Sequence, residues 1–169
     1  LQGEARARYA AIMERQAELN TRFAQNVLAD ESNYRLVLRG EAELAGLPDF
    51  VRAAARQAAL DRGLGEEGAH VVTLSRSLIE PFLTFSSRRD LRETVYKAWI
   101  KRGESAGEHD NRGIVSEIIA LRAELAKLMG FESYAAYSLE DTMAKTPENV
   151  RKLLETVWTP ARKRAELER

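Results

Sequence analysis

The stretch from Asn111 to Met129 carries apolar side chains at Ile114, Ile118, Leu121, Leu125 and Leu128, in alternating four- and three-residue steps. That spacing stacks them on one face of a helix. Val115, Ile119 and Ala126 widen the stripe, while Arg112, Glu117, Arg122 and Lys127 fall mostly outside it. Asp110 can cap the free amides of the first turn, and Gly130 suits the left-handed residue that stops a helix. A stripe this wide asks for partners on more than one side, and every other apolar-faced segment is a candidate to pack on it.

Those segments are mostly helical. Glu4 to Leu28 contains no Gly or Pro and repeats Tyr9, Ile12, Met13, Gln16, Leu19, Phe23 and Val27 at helical period, with Asp30, Ser32 and Asn33 as its turn. Tyr34 to Arg39 alternates instead, which predicts a short strand. His70 to Leu74 is its candidate antiparallel partner. Between them, Pro48 opens a helix to about Leu60 with Phe50, Val51, Ala54, Ala55 and Ala58 inward. Leu78 to Phe85 is expected to be a short helix with Pro81 in its first turn. Ser87 and Asp90 resemble a capping box before a helix buried through Leu91, Val95, Ala98 and Trp99. Gly103 to Asp110 is a polar loop. Ser133 starts another short helix, and Thr146-Pro147-Glu148 a longer one with Val150, Leu153, Leu154, Val157, Trp158, Ala161 and Ala165 on one face. Pro160 is expected to kink that helix or split it in two. The fold class predicted is mainly α, a single multi-helical segment with at most a small two-stranded ribbon over residues 34–39 and 70–74.

Charge narrows the function. Lys plus Arg and Asp plus Glu both total 26, which disfavours an RNA- or DNA-binding domain, since phosphate binders normally show a basic excess. The absence of cysteine removes thiolate metal sites and disulfides and points to a cytoplasmic setting. No run of about 18 apolar residues is present, so no membrane partner is expected. The chain starts at Leu1 rather than Met and stops at Arg169 inside a helical pattern, so truncation at both ends is expected.

Individual residues offer little chemistry. Gly63, Gly65 and Gly68 spell G-x-G-x-x-G, but the run follows a helix and precedes a strand, the reverse of a dinucleotide site. His70 and His109 are the two histidines, and no H-E-x-x-H is present. Glu108-His109-Asp110 reads as a loop with a capping Asp, because three consecutive residues do not converge on one point. His70 opens a strand and reads as a partly buried polar residue rather than a base. Arg88 and Arg89 sit where a helix disfavours cations, and read as surface residues or as partners of a carboxylate elsewhere. Tyr134, Tyr137 and Trp158 read as core or core edge. No Ser-His-Asp set and no Walker-type Gly-Lys-Ser/Thr can be assembled.

Longer blocks carry more. LNTRFAQNVL (Leu19 to Leu28), ELAGLPDF (Glu43 to Phe50), VVTLSRSLIEPFL (Val71 to Leu83) and RRDLRETVYKAWIKRG (Arg88 to Gly103) are followed by the long run from Asp110 to Leu154. In order and spacing these blocks resemble the thimet-oligopeptidase-like zinc metallopeptidases, in their bacterial peptidyl-dipeptidase or oligopeptidase A branch. The resemblance implies a two-lobed, nearly all-helical enzyme with a deep channel that excludes folded proteins. It further implies zinc held by an H-E-x-x-H helix and a Glu on a following helix, the motif's Glu as general base, and release of dipeptides from peptide C-termini.

The matching blocks belong upstream of that zinc motif. The resemblance therefore implies scaffold and one channel wall, with no catalytic, cofactor-binding or metal-ligating residue in 1–169. Its partners would be the catalytic portion of the same polypeptide and short oligopeptides. Zinc would belong to the intact enzyme and not to this segment. The alternative is a stand-alone helical module that binds peptides or proteins without turnover.

Overall fold

The computed structural model of the chain describes residues 1–65, 68–104 and 107–169. Parts of two predicted loops, residues 66–67 and 105–106, lie outside the described residues. The elements run α1 (Gly3–Asn33), β1 (Leu36–Leu38), α2 (Asp49–Leu60), β2 (His70–Val72), α3 (Arg76–Phe85), α4 (Arg89–Ile100), α5 (Arg112–Leu128), α6 (Tyr134–Leu139) and α7 (Pro147–Glu168). The chain is mainly α, as its periodicities predict. It divides into two compact units, one of Leu1–Leu19 with Val115–Arg169 and the other of Asn20–Ile114.

The 20–114 unit contains the main apolar core. β1 and β2 pair antiparallel with Leu36 opposite Val72, Val37 opposite Val71 and Leu38 opposite His70, so the predicted ribbon is present, through the centre of its first strand and the first three residues of its second. Its ends are set locally: the Arg39 amide donates to the Glu43 carboxylate instead of a strand partner, and the Ser75 amide turns back to Thr73 Oγ1 at 3.3 Å. A two-stranded ribbon needs cover to persist. Leu38 and Val72 join Leu44, Leu47, Val51, Ala55, Leu74, Leu78, Ile79, Phe82 and Val95 in one buried cluster, which packs α2, α3 and α4 around it.

That cluster contains no residue of α5. The 111–129 helix, for which the other apolar-faced segments are candidate partners, is therefore not where this core gathers. The buried residues of α5 are Ile114, Ile118, Leu125 and Ala126, whereas Val115 and Ile119 stay exposed, Ile119 at 61%. The widened edge of the stripe is left uncovered.

Other boundaries shift for local reasons. α1 runs through Asp30, Ser32 and Asn33 instead of turning there. Its last turn is held from outside, since Asp30 Oδ2 accepts the Gly103 amide at 2.7 Å and Glu31 accepts Arg102 at 2.6 Å. On α2, Val51, Ala55 and Ala59 are buried, but Phe50 is 59% exposed and Ala54 is exposed too. Each lies one residue, about 100°, behind a buried position on the helix. Phe50 instead meets the edge of Phe85, with centroids 6.1 Å apart.

α3 starts two residues earlier than predicted, so Pro81 lies inside it rather than in its first turn. α4 is preceded by Arg88 at the cap position, with no side-chain cap from Ser87. The Ser87 amide goes to Ala45 O at 2.8 Å, which brings the α3–α4 junction against the 44–47 turn. Gly46 permits this approach: its φ is +83°, and a Cβ there would lie 2.4 Å from Phe85 O.

In the other unit, α1 and α5 run antiparallel. Arg8 grips Glu124 through two bonds of 2.6 and 2.7 Å, and Arg15 grips Glu117 at 2.6 and 2.9 Å. Residue numbers thus rise on one helix as they fall on the other. Gly130 ends α5 at φ +85°, as its position predicts. Ser133 caps α6 by accepting the Ala136 amide at 3.1 Å. Thr146 caps α7 by accepting the Asn149 amide at 3.3 Å, with Pro147 in the first turn. α7 continues through Pro160 from Pro147 to Glu168 and is not split.

Candidate functional site

The most constrained polar cluster lies where the end of α1 meets the loop before α5. Asn26 and Asn111 are both buried, and Asn26 Nδ2 donates to Asn111 Oδ1 at 2.8 Å. Asn111 spends its own amide group on Phe23 O at 3.1 Å and its backbone N–H on Gly103 O at 2.8 Å. Gly103, at φ +79°, has no room for a side chain, since a Cβ would lie 2.8 Å from Asn111 Nδ2. Arg102 stacks on Trp99, with its guanidinium carbon 3.5 Å from the ring centroid, and closes on Glu31. Asn26 and Asn111 are satisfied by structural neighbours, so the cluster reads as a lock rather than a reacting centre.

The sequence candidates disperse around it. His109 Nδ1 lies 3.5 Å from Asn26 Oδ1. Asp110 turns away and caps the Arg112 amide at 3.0 Å while pairing with the Arg112 guanidinium at 2.6 Å. That side-chain pair, helped by the backbone amide, holds the Asp110 carboxyl at about 2. Glu108, His109 and Asp110 therefore do not converge. His70 sits on β2, and its Nδ1 is buried without a hydrogen-bond partner. Arg88 pairs with Asp90 at 3.0 and 2.6 Å and lowers that carboxyl, so its carboxylate partner is two residues away. Arg89 is exposed at the first turn of α4.

Tyr134 and Tyr137 are half-buried and packed together at 6.0 Å, with Phe131 on Tyr137 at 5.5 Å. Desolvation is the main cause that raises the Tyr137 phenol, with Tyr9 adding to it. Trp158 departs from the core-edge expectation, being 65% exposed.

Two concavities stand out. One, of about 390 Å³, is lined by Asp30, Asn33, Tyr34, Leu74, Lys97, Ala98, Lys101 and Arg102. Its cations are largely answered: Lys97 by Glu93 and Arg102 by Glu31. The other, of about 380 Å³, lies on α7 among Leu154, Glu155, Val157, Trp158 and Ala161. No residue of α7 is buried. The periodicity of the sequence marks the α7 stripe but reads as core. The missing signal is a second stripe left over to cover it.

Residues 82–169, more than half of the chain and including all of α4 to α7, match the profile of Peptidase family M3. The chain belongs to that family. Among curated M3-type relatives, oligopeptidase A of Haemophilus influenzae is 38% identical over 172 aligned residues, covering 99% of this chain and 25% of that protein. Oligopeptidase A of Escherichia coli is 38% identical over 98% of this chain and 24% of its own length. Dipeptidyl carboxypeptidase of Escherichia coli is 34% identical over 88% of this chain and 22% of its own. The chain thus spans about a quarter of the length of the curated relatives it matches. No helix among the described residues is long and apolar enough to cross a membrane.

Proposed function

We propose that residues 1–169 form scaffold and channel wall, upstream of the metal centre, in a zinc-dependent oligopeptidase that removes dipeptides from the C-termini of short peptides. The observation that carries this reading is the coverage: 99% of this chain aligns with only 25% of an oligopeptidase A. The dipeptidyl carboxypeptidase likeness supports the choice of product. The working protein would be cytoplasmic, in keeping with a chain that carries no cysteine.

The zinc implied by the resemblance does not fit the described residues. Among the described residues no three of His, Cys, Asp and Glu come together to hold a metal ion. No residue of 1–169 is assigned a catalytic, cofactor-binding or metal-ligating role, because the blocks that carry the resemblance belong upstream of the zinc motif. Its partners are the catalytic portion of the same polypeptide and short oligopeptides.

The test has two stages. Sequencing the source gene beyond the codon for Arg169 is expected to reveal an H-E-x-x-H with a Glu on the following helix. The 169-residue chain, purified, is expected to hold no stoichiometric zinc and to release no dipeptide, while the longest polypeptide the gene encodes does both and stops on chelation. A stop codon directly after Arg169, with peptide binding but no turnover, would replace this reading with the stand-alone binding module. Chelator-sensitive turnover by the 169-residue chain would overturn the claim that it lacks a site.

A further inference from the structure

α7 presents Leu153, Leu154, Val157 and Trp158 at 58–65% exposure. With Val150, Ala161 and Ala165 they lie within one stripe when successive residues are turned by 100°. From Val150 to Ala165 the stripe is about 22 Å long, at 1.5 Å per residue. An apolar face of this extent, hollowed by the concavity at Leu154, Val157, Trp158 and Ala161, marks an interaction surface rather than ordinary solvent-facing helix.

Three occupants compete. A peptide in a channel needs donors and acceptors for its backbone, and among the residues lining this concavity only Glu155 and the Trp158 indole carry polar side-chain atoms. A second copy is opposed by charge. Antiparallel pairing about the helix centre sets the edge cation Arg151 level with Arg164, and parallel pairing sets each edge cation opposite itself. The third occupant is the remainder of the family polypeptide. The M3 match takes in all of α7, and the relatives carry about three-quarters of their length outside the stretch this chain covers.

We infer that the α7 stripe is the seat of an amphipathic helix from that remaining three-quarters, an inference that rests on the function proposed above. The partner carries an apolar stripe of about four turns. It also carries an acidic residue on the edge that meets Arg151, which has no partner among the described residues. The stripe is thereby an internal docking face, and the channel wall lies on another surface of the segment.

Trp158 reports on this directly. The chain has two tryptophans, so Trp99→Phe leaves Trp158 as its only indole emitter. Acrylamide quenching is compared between the 169-residue chain and the longest polypeptide the gene encodes, with added tryptophans of the latter replaced by Phe. Hydrogen exchange over residues 150–165 in the unmodified proteins gives a second readout should the variants misfold.

The expected result is a several-fold fall in quenching and slower exchange in the longer polypeptide, independent of concentration and of added oligopeptide. Equal quenching and exchange in the two proteins would overturn the inference. So would protection already present in the short chain that rises with its concentration, which is the signature of a second copy. Protection that appears only with added oligopeptide would overturn it too and make the face a channel wall. Hydrolysis is read separately: an active long polypeptide with an open Trp158 defeats this inference alone, and a protected Trp158 without hydrolysis defeats the proposed function alone.

Discussion

α3 and α7 are both amphipathic helices with a proline inside them, yet they end in opposite environments. On α3, Leu78, Ile79 and Phe82 are buried, Phe82 completely. On α7 no residue is buried. The difference does not lie in either helix's own pattern. α3 is flanked in sequence by β2 and α4, short elements whose apolar residues reach the same cluster, so its face is covered by near neighbours. α7 follows the short α6, which has no buried residue to spare. A helix face is thus a demand for cover, and chain context decides whether the demand is met within a segment of this length.

Substitutions test that contrast. Phe82→Ala empties the centre of the 20–114 core and is expected to cost about 3–5 kcal/mol, read as a large fall in the urea midpoint; a change under about 1 kcal/mol would mean that the cluster is not a packed core. Asn111→Ala leaves the buried Asn26 amide group without its acceptor, takes a second donor from the Phe23 carbonyl, and is expected to cost about 1–3 kcal/mol. Asn26→Ala combined with it should add far less than its own single effect, because both remove one shared bond. Thr146→Ala removes the α7 cap, with an expected cost of about 1 kcal/mol to that helix. Because α7 is uncovered, the loss should appear as fraying in hydrogen exchange near residues 147–150 and leave the 20–114 core untouched.

A titration sharpens the comparison further. The Asp110 carboxyl is held at about 2, below its ordinary value near 3.8, chiefly by Arg112. A depressed folded-state value contributes stability above the unfolded value, and that contribution is lost as pH falls from about 4 toward 2. Asp110→Asn should flatten the stability profile in that window. The pair is at the surface, so the effect is small and should shrink in salt. Smallest of all is Trp158→Ala in the 169-residue chain, expected to change stability by less than about 0.5 kcal/mol. A large loss there would show that α7 is already covered.

Much of the architecture is legible in the order of residues alone. The caps at Ser133 and Thr146 and the stop at Gly130 follow from local rules, because each depends on atoms within a few residues, and the strand at 36–38 follows from the alternation around it. The misplacements share a cause. Phe50, Ala54 and Trp158 belong to apolar stripes and so are expected inward, but a stripe marks a face without saying how much of it a neighbour reaches. Asp30 to Asn33 carry turn residues, yet α1 persists there because Gly103 and Arg102 hold its last turn. The polar lock is invisible for the same reason: Asn26 and Asn111 stand 85 positions apart, and nothing near either one names the other.

The candidate site divides the same way. That His70 and His109 form no metal motif is a matter of spacing, readable from the chain, and the ordered blocks that resemble a metallopeptidase are equally a property of the sequence. By itself, then, the sequence determined the element types, most caps and the family. Only the tertiary structure decided which apolar face became core. Burial depends on which surfaces meet across long separations, and in this chain the ribbon, α2, α3 and α4 meet while the face of α7 does not.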